Sequence, residues 1–122
     1  MPVLDDSQPI FTRIMERIES DIVTGAYQTD DLIISTTQIS KVYTVNPTTA
    51  VKAVSKLTDA GILYKDRGIG MRVAAGAREK ITGRRRAVFL NQTIDALLAE
   101  AKTLGISVEE MIAIIQERNN SK

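Results

Sequence analysis

The chain has 122 residues, 43% hydrophobic and 25% charged, which describes one compact domain with an appendage and leaves no room for a large ligand-sensing domain or for general disorder. Cysteine and histidine are both absent, which excludes disulfides, Cys/His zinc sites, thiol chemistry and imidazole catalysis. The net charge of +1 conceals a segregation, with −5 over residues 1–40, +8 over 41–86 and −2 over 87–122, and a basic block of that kind is the footprint of a surface that meets phosphates.

Met1 to Gln8 is polar and acidic, without the basic start and apolar run of a secretion signal, and no stretch reaches the ~18 apolar residues of a membrane span. The expected location is therefore the cytoplasm, with no membrane partner. From Pro9 to Gly25, Phe11, Ile14, Met15, Ile18 and Ile22 recur at helical spacing, with Pro9 suited to a helix start and Gly25 to a stop. After a polar turn and the apolar run Leu32 to Ile34, Ser35-Thr36-Thr37-Gln38 has the form of a capping box and predicts a short helix to about Tyr43.

Asn46-Pro47 opens the next helix, since Asn is a strong N-cap and Pro is pre-organised for the first turn. Ala50, Val51, Val54 and Leu57 are its expected inward stripe, and Gly61 ends it. Two short helices joined by about four residues make a helix-turn-helix. Ile62 to Arg67 and Met71 to Ala74 then read as two strands around Gly68-Ile69-Gly70, a wing.

From about Arg78 a long helical pattern carries Leu90, Ile94, Leu97, Leu98, Ala101 and Leu104 and breaks at Gly105. Ser107-Val108-Glu109-Glu110 is a second capping-box match, introducing a last helix whose apolar face is Met111, Ile112, Ile114 and Ile115. The expected fold is mainly α with a small β wing: a winged helix-turn-helix over residues 1–76 and a two-helix dimerisation tail over 77–122. The tail residues expected to meet a second subunit are Leu90, Ile94, Leu97, Leu98, Ala101, Leu104, Met111, Ile112 and Ile115.

In a helix-turn-helix the N-terminal turn of the second helix enters the major groove, which singles out Asn46, Thr48, Thr49 and Lys52 at the helix opened by Pro47. Thr hydroxyls and the N–H groups of a helix start bind phosphate, and a Thr methyl or Asn amide reads a base edge. Capping alone is the alternative account of Asn46, with the threonines then neutral surface. Lys65 and Arg67, beside the turn at Gly68 and Gly70, suit a wing tip on phosphates or in a minor groove, or a plain hairpin with solvated charges. Arg84-Arg85-Arg86 fits a phosphate contact or a solvated helix face. No glycine-rich phosphate loop with Lys-Ser/Thr and no Gly-x-Ser-x-Gly elbow is present, so neither an enzyme nor a cofactor or metal is expected.

The order of these residues resembles the GntR family of bacterial transcription regulators, in its short YtrA-like branch. Pro9-Ile10-Phe11 is similar to a Pro-Ile-Tyr opening, Ile18 to Gly25 to Ile-x3-Ile-x2-Gly, Leu32 to Ser35 to a Leu-Pro-Ser, and Val45-Asn46-Pro47-Thr48-Thr49 to the Val-Asn-Pro-x-Thr that opens the recognition helix. Leu57 to Leu63 is similar to a Leu-x3-Gly-hydrophobic pair, and Gly68-x-Gly70 to the glycine wing. The sequence departs from that pattern at Ile34 for proline, Thr37 for arginine and Met71 for threonine. The resemblance implies a homodimer on a double-stranded DNA operator, usually as a repressor, and adds Ser35 and Thr37 to the DNA-facing residues. It leaves open an unidentified small-molecule effector between the tail helices. The rival reading is a winged-helix protein-interaction module without specific DNA binding.

Overall fold

The computed structural model describes residues 9–121; the polar start Met1 to Gln8 and the terminal Lys122 lie outside the described residues. The elements are α1 Ile10–Val23, α2 Thr36–Tyr43, α3 Pro47–Asp59, β1 Leu63–Asp66, β2 Gly70–Val73, α4 Ala77–Val88, a π-helical segment Phe89–Ile94, α5 Asp95–Thr103 and α6 Val108–Asn120. The chain divides into two compact units between Thr82 and Gly83.

In the first unit the apolar stripe of α1 is buried as its spacing predicts, with Ile14, Ile18 and Ile22 in the core and Phe11 and Met15 packed at its edge. The capping box of α2 forms in full: the Gln38 N–H donates to Ser35 Oγ at 3.1 Å, and the Ser35 N–H donates to Gln38 Oε1 at 2.9 Å. Helix α3 differs from the expected pattern at one position. Val51 is exposed, and Ala50, Ala53, Val54 and Leu57 are the buried stripe. Counting from Ala50 gives the reason: i+3, i+4 and i+7 are Ala53, Val54 and Leu57, whereas Val51 lies about 100° around the helix.

The wing is an antiparallel pair in which Leu63 faces Val73, Lys65 faces Met71 and Asp66 faces Gly70. A third short segment borders β2, with the Asp30 N–H donating to Val73 O, the Ile33 N–H to Met71 O and the Val73 N–H to Asp31 O, all at 2.9–3.0 Å. The core of this unit extends into α4, where Ala77 and Ile81 are 1% and 0% exposed.

In the second unit the long helical pattern is interrupted. Phe89–Ile94 is π-helical, and because each i→i+5 turn takes one more residue than an α turn, the side chains before it rotate relative to those after it. Helix α5 ends at the left-handed Gly105, φ +73°, and the Ile106 N–H closes on Ala101 O at 2.8 Å. The second capping box forms by half: the Glu110 N–H donates to Ser107 Oγ at 3.1 Å, while the Glu110 carboxylate meets the Ser107 hydroxyl at 3.5 Å.

Candidate nucleic-acid interface

The turn between α2 and α3 is fixed from both sides by Ser40. Its carbonyl accepts the Val45 N–H at 3.0 Å, and its hydroxyl donates to the Val45 carbonyl at 2.6 Å. Between them Thr44 caps α2 in the left-handed region, φ +53°, where a residue with a Cβ is strained by about 1–2 kcal/mol. Thr44→Gly is therefore expected to raise stability by about 1 kcal/mol in urea denaturation.

This turn forms one wall of an open cleft of about 530 Å³ lined by Ile10, Ser40, Lys41, Thr44, Val45, Asn46 and Thr49. Two of the sequence-selected residues, Asn46 and Thr49, thus share a cleft with Lys41 and Thr44, which the sequence reading passed over. Asn46 occupies the N-cap position of α3 but makes no side-chain cap hydrogen bond, so capping does not account for it; the first turn is closed instead by backbone N–H groups of Thr49 and Ala50 donating to Asn46 O. Asn46→Ala should consequently cost well under the roughly 1 kcal/mol of a working cap while weakening DNA binding, a split that paired denaturation and binding titrations would read.

Along the outer face of α3, Pro47, Thr48, Val51, Lys52 and Ser55 are exposed and Thr49 is half-buried. Lys52 is held in place: its Nζ lies 4.3 Å from the centre of the Phe11 ring, and Lys56 Nζ lies 5.5 Å from the same centre. An ammonium over an aromatic face is attracted by the ring quadrupole, so α1 presents two α3 cations on one platform. In the sequence Phe11 is legible only as an apolar residue of α1; its partners are 41 and 45 residues away. Ser35 and Thr37 are exposed at the first turn of α2, with the Ser35 hydroxyl engaged in its cap.

At the wing, Lys65, Arg67, Gly68 and Gly70 are exposed. Gly68 sits at φ +78° and Gly70 at φ +147°, and a Cβ on Gly70 would come 3.2 Å from Leu32 Cδ1. Arg72 does not add to the free charge of the basic segment. Its Nε donates to Asp66 Oδ2 at 2.7 Å and its Nη1 to Asp30 O at 2.9 Å, which ties the hairpin to the Asp30 segment. The Tyr64 hydroxyl donates to Asp30 Oδ1 at 2.7 Å, and that bond to a carboxylate raises the phenol above its ordinary pKa. Asp30 is itself left-handed, φ +69°, so the wing is braced by a locally strained turn.

In the second unit Ala101 is buried, Ile94 and Met111 are half-buried, and Leu90, Leu97, Leu98, Leu104, Ile112 and Ile115 are exposed at 38–65%. An apolar groove of about 380 Å³ runs between α5 and α6, walled by Leu98, Ala101, Ile106, Val108 and Met111. Among the described residues no group of three Asp or Glu side chains is placed to hold a metal ion, and no helix is long and apolar enough to cross a membrane.

Three helices closed by a two-stranded hairpin, with a helix-turn-helix at their exposed edge, define a winged helix-turn-helix. No protein-family model and no curated protein matches the sequence, but solved structures do. The chain is similar to a GntR family transcriptional regulator from Listeria monocytogenes, at 30% identity and a TM-score of 0.70 over 93% of this chain and 98% of that one. It is similar to a transcriptional regulator of the GntR family from Bacteroides thetaiotaomicron, at 31% identity and a TM-score of 0.75 over the same shares. Over 61% of its length it also resembles AraR(DBD) in complex with operator ORX1, covering 90% of that chain at 28% identity and a TM-score of 0.55. The chain belongs to the GntR family of transcriptional regulators.

Proposed function

We propose that this regulator is a cytoplasmic, YtrA-like repressor that binds a near-palindromic operator as a homodimer. The observation that carries the DNA-binding part is the start of α3: Asn46 makes no cap bond there, Thr48 is exposed beside it, and Lys52 is steadied on Phe11. Those are the side-chain types that reach base edges and phosphates from a recognition helix. The neighbour described in complex with an operator supports the same reading. Ser35 and Thr37 at the start of α2 lie on the flank that crosses the backbone in such an arrangement, and Lys65, Arg67, Gly68 and Gly70 extend the contact from the wing.

Homodimerisation rests on the exposed apolar side chains of the second unit. Leu97 and Leu98 on α5 are 38% and 43% exposed, and Ile112 and Ile115 on α6 are 50% and 51% exposed, and apolar side chains left open in this number on two neighbouring helices suit an interface. A second copy covers such a surface with an isologous interface and gives the complex two recognition helices. Repression then needs only occupancy of the operator, and an effector acting on the tail would work by changing the spacing of those helices.

The test is a salt titration of duplex binding by fluorescence anisotropy. Affinity is expected to fall steeply and log-linearly with salt, as counterions leave neutralised phosphates; a protein-interaction module would bind duplex weakly at every salt concentration. Arg67→Ala at the wing tip should lower affinity for all sequences and flatten that slope by about one unit.

A further inference from the structure

We infer that Val51 reads the C5-methyl group of a thymine in the major groove, so that the operator carries a specified thymine in each half-site. The inference rests on the DNA-binding reading of α3. Beyond Pro47 at its first position, Val51 is the apolar residue on an otherwise polar outer face of that helix, 49% exposed and flanked by Thr48, Lys52 and Ser55, all exposed. It lies outside the core cluster, whose α3 members are Ala50, Ala53, Val54 and Leu57, so the packing of the first unit does not require it.

Position and chemistry together narrow what this side chain can do. Val51 lies one turn beyond Pro47 and Thr48, which by helical spacing share its face with Ser55, all of them exposed. Valine can neither donate nor accept a hydrogen bond, so it is blind to the donor and acceptor pattern of guanine, cytosine and adenine. The thymine methyl is the one apolar group that a base pair displays in the major groove. The branched side chain is also stiff at χ1 in a helix, which fixes where its two methyls point and suits the reading of one position rather than a smear of several. Lys52, beside it and steadied over Phe11, supplies charge without sequence information, leaving discrimination to its neighbours.

The experiment uses the full-length protein. Bound fragments are selected from a random duplex library, and each thymine of the enriched site is then replaced singly by deoxyuridine, which removes the methyl and keeps every hydrogen-bonding group. At one thymine per half-site the wild-type protein is expected to lose affinity by roughly fourfold, the worth of one buried methyl-sized group. Val51→Ala, checked for folding by circular dichroism, should bind the parent site more weakly and show a thymine-to-deoxyuridine ratio near one at that position; Val51→Ile should restore the discrimination. An enriched site at which no deoxyuridine replacement matters, or a discrimination that survives in Val51→Ala, overturns the assignment while leaving DNA binding intact. Failure of the library to yield any enriched sequence removes the recognition-helix reading itself, and this inference with it.

Discussion

Leu97→Asp combined with Leu98→Asp is expected to convert a dimer into a monomer and to cut operator affinity by about 10²–10⁴-fold. Leu97 and Leu98 are 38% and 43% exposed on α5, so aspartates there meet solvent in the isolated chain and the helix should survive, as circular dichroism would show. In an interface the same carboxylates would be buried without partners, which costs far more than the contacts removed. The affinity loss follows from linkage: two recognition helices joined in the proposed dimer make the second contact intramolecular, and that advantage is of the stated size. Sedimentation velocity on wild type and variant reads the first effect and anisotropy the second. Wild-type protein that sediments as a monomer at micromolar concentration yet holds its operator tightly would remove the dimer from the mechanism.

Lys52→Ala and Thr49→Ala should separate charge from sequence reading. Lys52, 4.3 Å from the Phe11 ring centre, is expected to serve phosphate, so its loss should weaken binding to every duplex alike and reduce the salt slope by about one. Thr49 is half-buried at the rim of the cleft with Asn46, and loss of a base contact there should cost about 1–3 kcal/mol on the operator while relaxing the preference at one position. Phe11→Leu should reproduce part of the lysine effect, because it removes the platform and keeps both ammonium groups. Equal behaviour of all three variants on operator and unrelated duplex would place sequence reading elsewhere on α3.

Much of the fold follows from local rules. The α1 stripe, the Ser35–Gln38 capping box and the glycine-bounded hairpin each depend on residues within one or two turns of each other, and the sequence displays them directly. At Val51 two local rules compete: side-chain hydrophobicity favours valine over Ala53 for the buried stripe, and angular position, which favours Ala53, prevails. Asn46 is different. Its residue type and its position before Pro47 both predict a cap, and only the observed side-chain geometry shows that the bond is not made.

The rest depends on contacts between segments far apart in sequence. Lys52 and Lys56 meet Phe11 because α3 packs on α1, and Arg72 is taken up by Asp66 and the Asp30 carbonyl because the Asp30 segment borders the wing. A count of charge along the chain cannot distinguish such a committed arginine from an exposed one like Arg67. The π-helical turn at Phe89–Ile94 is invisible to periodicity for a related reason: leucine and isoleucine at α spacing say nothing about an extra residue in the turn.

The measurement that bears most directly on the proposed mechanism is the arrangement and stoichiometry of the selected DNA site. Sequencing of fragments retained by the full-length protein should reveal two inverted half-sites whose centres lie about one helical turn or a multiple of it apart, and titration of that duplex should saturate at two chains per site. Enrichment of a single unrepeated half-site saturating at one chain, or no enrichment over the starting library, would contradict it.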